Sequence, residues 1–298
     1  MASTIVRTAR AVRITPRRFL SGGIPRYVFL VGVTVITLYP LFWMVLSSFR
    51  SGEDIATAPL TIDLHALSVD NYTALLTAVP LGVGFKNTAI VIACKGALTL
   101  FFCPLAGFAF AKYRFRGRNL LFTVLLSTLM VPPIVLIIPL LLEMGAAGWV
   151  NTYQALVLPG AVDAFSIFWM RQVIAGVPNE MLDAGRIDGC SPFGLYWRVV
   201  LPVIRPGLAA LAVLTFIGIY NDFVWPVIAI NSDDMQTLQV MLSALATQIN
   251  AAQVGASGAN AWGEILAAST LASLPVLILF VALQRHFVQG ALAGSVKG

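Results

Sequence analysis

The sequence predicts an all-α membrane protein with six transmembrane helices. Three observations lead there. The 298 residues are 58% hydrophobic and only 11% charged, with mean hydropathy +0.86, far outside the range of soluble domains. Six apolar stretches each approach the ~20 residues that a helix needs to cross a bilayer. The cations are sorted by side: with six spans both termini share one side, and sixteen of the nineteen Lys and Arg fall there.

In chain order, residues 1–26 form a polar, basic arm carrying Arg7, Arg10, Arg13, Arg17, Arg18 and Arg26. Residues 27–48 form the first span. A secretory leader with a cleavage site at Ala56-Thr57-Ala58 is the competing reading, but the apolar run is too long for one. Residues 49–84 form a polar connection with Glu53, Asp54, Asp63 and Asp70. The core, 85–286, opens with a second span at about 85–109, followed by Lys112, Arg114, Arg116 and Arg118. The third span, about 120–142, contains Pro132-Pro133 and Pro139, so a kink is expected. After a link at 143–151 come a fourth span at about 152–173, a polar loop, and a fifth span at about 207–230 with Asn221-Asp222 inside it. Residues 231–261 read as a polar connection without Lys or Arg, and the sixth span occupies about 262–283. The tail is 287–298. Only Arg50, Lys86 and Lys95 depart from the cation asymmetry, which orients the termini and the polar loop toward the cytoplasm.

The polar loop, 174–206, is an island in this chain, and its punctuation predicts two short helices. Pro178 suits a first helical turn and Gly189 a left-handed stop. Ser191-Pro192 restarts a helix, and Pro202 and Pro206 close it. Asp183 and Arg186 are three apart and can pair on one face. Ala184 and Gly185 make a low-relief patch that another protein could approach. A plain solvated loop carries about equal weight on physics alone.

The stretch PNEMLDAGRIDG at 178–189 resembles the cytoplasmic coupling loop of ABC importer permeases, and the flanking residues resemble the carbohydrate branch, of the maltose type. Asp183 stands where that family usually has Glu, and Gly185 where it has the second Ala. NDFVWP at 221–226, AWGEILAAS, LPVLILF and QRHFVQGALAGSVKG extend the resemblance over roughly residues 80–298. The resemblance implies the type I importer permease fold, with a coupling helix between spans four and five that meets a separate ATPase through Glu180, Asp183, Ala184, Gly185, Arg186, Asp188 and Gly189. It implies a complex of two permeases, two ATPases and an extracytoplasmic solute-binding protein in a bacterial or archaeal cytoplasmic membrane. ATP and Mg would sit on the partner subunits, with no cofactor on this chain. The cargo would be a sugar or oligosaccharide; a non-sugar solute such as a glycerol phosphate ester is the alternative within the family.

Other functions are disfavoured on the residues. The chain has no phosphate-cradling Gly-x-x-x-x-Gly-Lys-Ser/Thr, so if transport is ATP-driven the nucleotide must bind another polypeptide. Cys94 and Cys103 lie nine residues apart on one predicted helix and face opposite sides. No Cys/His spacing suggests a metal site. The arginines sit in short loops between apolar spans, which argues against nucleic acid as a partner and for lipid. Lys95, Asp163 and Asp222 are ionisable groups within spans, which are costly and commonly functional. The two aspartates lack the Gly-x-Gly-Asp setting of a membrane aspartyl protease. An ion-coupled secondary transporter would show internal repeats, and none is evident. Asn221, Asp222 and Trp225 are the candidate substrate-pathway residues, with helix bracing the competing role for the first two and a place in an interfacial aromatic belt for the third.

Overall fold

A continuous apolar helix satisfies its own backbone hydrogen bonds, so it can enter lipid without a partner. The computed structural model of the chain describes residues 23–61, 63, 66–252 and 261–295, and among them there is helix and no strand. Most of the basic arm, His65 and the last three residues with Lys297 lie outside. Among the described residues, four helices are long and apolar enough to cross a membrane: Arg26–Ser47, Leu81–Lys112, Pro192–Tyr220 and Trp262–Ala282. The first and last belong to α1, Gly23–Ser47, and to the final helix, Ala261–Ser295. From Tyr27 to Phe42, α1 is exposed all round, as a lipid-facing helix would be.

The connection after α1 is ordered by Arg50. Its buried guanidinium donates to the carbonyls of Asp54, Ala58 and Pro59, closing the end of α2, Gly52–Thr57. Asn71, in α3 (Asp70–Ala78), donates to the carbonyls of Ser48 and Arg50. One of the three cations that break the charge asymmetry is therefore a structural cap.

The second span, α4, runs Leu81–Lys112 and is the spine of the fold. It packs along α8, Ala164–Ala175, and along the helix Pro192–Tyr220, which is α10 below. Contact with α8 is close because of Gly107. A Cβ there would meet the backbone N of Arg171 at 2.9 Å and the carbonyl carbon of Met170 at 3.0 Å.

The third span breaks more sharply than a kink. Arg118–Met130, whose α-helical part is α5 (Arg118–Ser127), and α6, Pro133–Ala146, meet at 103°. Pro132 and Pro133 remove two donors in succession, and Pro132 is extended at ψ 130. The predicted fourth span is not one helix. It consists of α7, Tyr153–Val157, and α8, separated by Pro159 and by Gly160 at φ +68. Thr99 of α4 bridges the gap, its hydroxyl donating to the Ala161 carbonyl at 2.7 Å. Length and apolarity thus give four spans, or five with the bent pair; the broken fourth segment does not qualify.

Two further expectations are corrected. Pro202 and Pro206 do not close a helix after the polar loop: α10 continues unbroken from Pro192 to Tyr220. A π-helical stretch at Leu195–Val200 precedes Pro202, with the Leu201 N–H reaching back to the Tyr196 carbonyl. That wider turn accommodates a residue with no N–H to donate. The fifth span also ends earlier than expected. Helix α10 stops at Tyr220, and α11, Val224–Ala229, follows the break at 221–223. The connection 231–261 contains α12, Leu238–Ala252, which packs on α4 and on the last helix, α13 (Ala261–Ser295).

Candidate functional site: an inner cavity and a protruding helix

The polar loop folds as α9, Asn179–Ile187. Pro178 is its N-cap, one position ahead of the expected first turn, and Glu180 supplies the acidic group that favours a helix N-terminus. Gly189 at φ +78 ends it. The Cys190 N–H bonds the Gly185 carbonyl and the Gly189 N–H bonds the Arg186 carbonyl, the paired geometry of a Schellman stop. Ser191 then caps the next helix by accepting from the Gly194 N–H at 3.1 Å, with Pro192 in its first turn.

Helix α9 has two faces. Leu182, 1% exposed, joins a core with Met170, Ile174, Leu195 and Ile204. Gly185 lies on the same inner face: a Cβ there would sit 2.7 Å from Leu195 Cδ2. It is therefore a packing residue, and the expected outward Ala184-Gly185 patch reduces to Ala184. The outer face carries Met181, Asp183, Ala184, Arg186, Ile187 and Asp188. Asp183 and Arg186 pair as expected at 2.6 Å, but both are about half exposed, and such pairs contribute roughly 0.5 kcal/mol. Ile187 is 87% exposed and was missed in the sequence reading. Its signal was there: two positions past Gly185, an apolar residue points about 200° away from the inner face.

Deeper in the bundle lies a cavity of about 240 Å³. Helix α4 contributes Lys95 and Thr99, the break before α8 contributes Gly160 and Asp163, and α10 contributes Thr215 and Gly218 with Asp222 just beyond it. The α10 positions 211, 214, 215, 218 and 219 follow helical spacing, so one face of that helix forms the wall. Asp163 is committed locally: its carboxylate accepts from the backbone N–H and the hydroxyl of Ser166, capping α8. Asp222 also takes a local bond, from the backbone N–H of Trp225 at the start of α11. Its carboxylate attracts the Lys95 ammonium, with which it lines the cavity. A second, largely apolar cavity of about 460 Å³, lined by Ile134, Leu140 and Trp225 among others, shares Lys95, Gly160 and Asp222 with the first.

The three candidate pathway residues separate. Asp222 lines both cavities. Trp225 is buried on the apolar side, its indole N–H donated to the Ala155 carbonyl at 2.7 Å, so its polar handle serves as a brace. Asn221 is exposed in the break after α10, and its backbone N–H bonds the Ile217 carbonyl. Lys95 and Thr99 belong with Asp222, which the sequence could not show, because they lie more than a hundred residues away. Among the described residues no group of His, Cys, Asp and Glu is arranged to hold a metal.

Comparison with known proteins agrees with this architecture. The chain is 35% identical over 269 residues to the arabinooligosaccharides transport system permease protein AraQ of Halalkalibacterium halodurans, spanning 89% of this chain and 93% of that one. It is 34% identical over 262 residues to the lactose transport system permease protein LacG of Rhizobium radiobacter, spanning 88% and 92%. In structure it resembles a chain of a bacterial ABC transporter involved in the import of the acidic polysaccharide alginate, with TM-score 0.78 and 22% identity, over 92% of this chain and 99% of that one. Residues 104–292 match the family profile described as binding-protein-dependent transport system inner membrane component. The polar helix on the end of the bundle, the broken spans around a cavity and these matches together make this chain an ABC permease with the type I importer fold, a member of the binding-protein-dependent inner-membrane component family.

Proposed function

We propose that the chain is the permease subunit of an ATP-driven importer of uncharged sugars or oligosaccharides, coupled to a separate ATPase through 178–189. The observation that carries this is the combination, in one chain, of a polar inner cavity and an amphipathic helix protruding at the end of the same bundle. The relatives named for arabinooligosaccharide and lactose transport support a sugar cargo. Lys95 and Asp222 supply a donor and an acceptor of opposite charge in a space of about 240 Å³, suited to hydroxyl groups without net charge. The partners are a second permease subunit, two ATPase subunits that hold ATP and Mg, and an extracytoplasmic solute-binding protein. The outer face of α9, with Glu180, Asp183, Ala184, Arg186, Ile187 and Asp188, seats in the ATPase, while Gly185 and Gly189 shape the helix that does so.

The division of the chain follows: arm 1–26, first span 27–48, extracytoplasmic connection 49–84, permease core 85–286, tail 287–298. The six-span topology counts the broken fourth segment as a crossing and puts both termini in the cytoplasm. A cysteine at the exposed position 247 should react with an impermeant thiol reagent added outside, and one at 116 should not. Labelling at 116 in sealed cells would overturn this topology.

The test of function is reconstitution of the five-subunit complex in proteoliposomes, reading ATP-dependent uptake of arabinotriose and lactose. Asp222→Ala should lower uptake about tenfold or more, a barrier change of about 1.4 kcal/mol. Assembly and basal ATP hydrolysis should stay within twofold. Absence of ATP-dependent uptake of neutral sugars by the unaltered complex would refute the reading, and unchanged uptake by the variant would return Asp222 to packing.

A further inference from the structure

By its place in the sequence Lys112 is one of four cations in a short basic loop, a position that the charge asymmetry across the membrane explains without further role. The structure gives it specific work. Lys112 is the last residue of α4. Its ammonium donates to the Val177 carbonyl, to Asn179 Oδ1 at 3.0 Å and, more weakly, to the Ala175 carbonyl at 3.4 Å. Ala175 and Val177 belong to the end of α8 and the turn after it; Asn179 is the first residue of α9. Glu180, the next residue, adds electrostatic attraction. One side chain thus joins the end of the spine helix α4 to the start of the polar-loop helix, across 63 to 67 positions of sequence.

Arg114 and Arg116, its neighbours in the basic loop, are exposed, and no hydrogen bond of this kind is seen from either. A cation placed only for charge balance at a membrane surface would be expected to look like them. Lys112 is instead half-buried. An ammonium has three protons, and here each has an acceptor on the segment that enters α9.

Midway along its length α4 carries Lys95 and Thr99 into the polar cavity. The seventeen positions from Lys95 to Lys112 amount to about 25 Å of helix at 1.5 Å per residue. Along that length Gly107 presses the helix directly against the α8 backbone, so α4 and α8 have no slack between them.

We propose that Lys112 is a positioning residue that clamps α4 to the entry of α9, so that a displacement of α9 by the ATPase is delivered to the cavity through α4. The proposal rests on the reading of α9 as the ATPase contact. The clamp acts at the N-terminal entry of α9, leaving its outer face free. It differs from the Leu182 and Gly185 packing in being made of directional bonds, which transmit pulling as well as pushing.

The experiment uses the complete reconstituted complex. Lys112→Met keeps the length of the side chain and removes all three bonds. It should lower sugar moved per ATP hydrolysed about fivefold or more, with assembly and basal hydrolysis within twofold, and Lys112→Arg should recover at least half of the ratio. A second readout does not depend on the cargo. In a chain with Cys94, Cys103 and Cys190 replaced by alanine, Thr215→Cys reports the cavity through its rate of reaction with a small thiol reagent. ATP should change that rate about fivefold with Lys112 present and less than twofold with Lys112→Met. An unchanged transport ratio together with an unchanged ATP response in Lys112→Met would overturn the proposal. If Lys112→Met fails to assemble, Asn179→Ala decides: a ratio lowered two- to threefold supports the clamp, and an unchanged ratio overturns it. A complex that moves no neutral sugar yet shows the Lys112-dependent cavity response would refute the sugar reading and leave the clamp standing.

Discussion

Replacing Gly107 by alanine should cost most of the folded protein, with the yield of monodisperse complex falling to roughly a tenth. The added Cβ meets backbone, at 2.9 Å from the Arg171 N and 3.0 Å from the Met170 carbonyl carbon. Backbone cannot rotate away as a side-chain tip can, so α4 and α8 must separate along their whole contact. Overpacking of this kind costs about 1–3 kcal/mol and more where nothing can yield. The control is Gly96→Ala on the same helix, where a Cβ meets nothing within 4 Å. That change should be neutral or stabilising by up to about 1 kcal/mol, because alanine favours helix. Size-exclusion chromatography and thermal unfolding of the two variants side by side provide the measurement. Equal behaviour would show that the α4–α8 contact is looser than described.

Gly185→Leu should insert and fold yet abolish ATP-driven uptake. The clash here is with Leu195 Cδ2 at 2.7 Å and Val199 Cγ2 at 3.3 Å, both side-chain ends. An alanine can be met by a turn of Leu195, and Gly185→Ala should keep at least half of the uptake. A leucine cannot, because Leu195 is itself buried at 2% exposure. The expected result is a lifted α9: co-purification with the ATPase lost, or retained with hydrolysis no longer producing uptake. Asp183→Lys is the contrasting change. It breaks an exposed ion pair and reverses a charge on the outer face, so it should leave stability within about 1 kcal/mol and act only on docking. If Gly185→Leu transports normally, the seat of α9 on Leu195 does not matter for coupling.

These two glycines show what a sequence read alone can and cannot convey. Gly189, Ser191 and Pro192 were legible because their conformational demands are local: a left-handed stop, a side-chain cap, a fixed φ. The Pro132-Pro133 break was legible for the same reason, though not its 103° angle, which depends on how α5 and α6 pack. Gly107 and Gly185 were not, since close approach is a property of two elements and a sequence displays one. The fourth span was misread because the apolar run through 152–173 outweighed Pro159-Gly160, a turn signal in plain view. The fifth was misread at both ends: a π-turn absorbs Pro202, and Asp222 lies beyond the helix. At the site the same rule held. Asp222 could be singled out as a charge in an apolar stretch, while its neighbours Lys95 and Thr99, and the partners of Lys112, needed the fold.

The π-turn at Leu195–Val200 also sets an angle. Each α-helical residue advances the chain by about 100° around the axis, and a π-turn holds one extra residue. It therefore resets the phase of α10 between its two ends. Leu195, where the turn begins, and Val199 within it point at Gly185; above it, positions 211 to 219 must point at the cavity. Remove one residue from that turn and the lower end would rotate by about 100° against the upper, swinging the seat of α9 around the bundle while leaving every span intact. Spacing along the axis fixes how far a push on α9 travels; this one additional residue fixes the compass bearing from which it arrives.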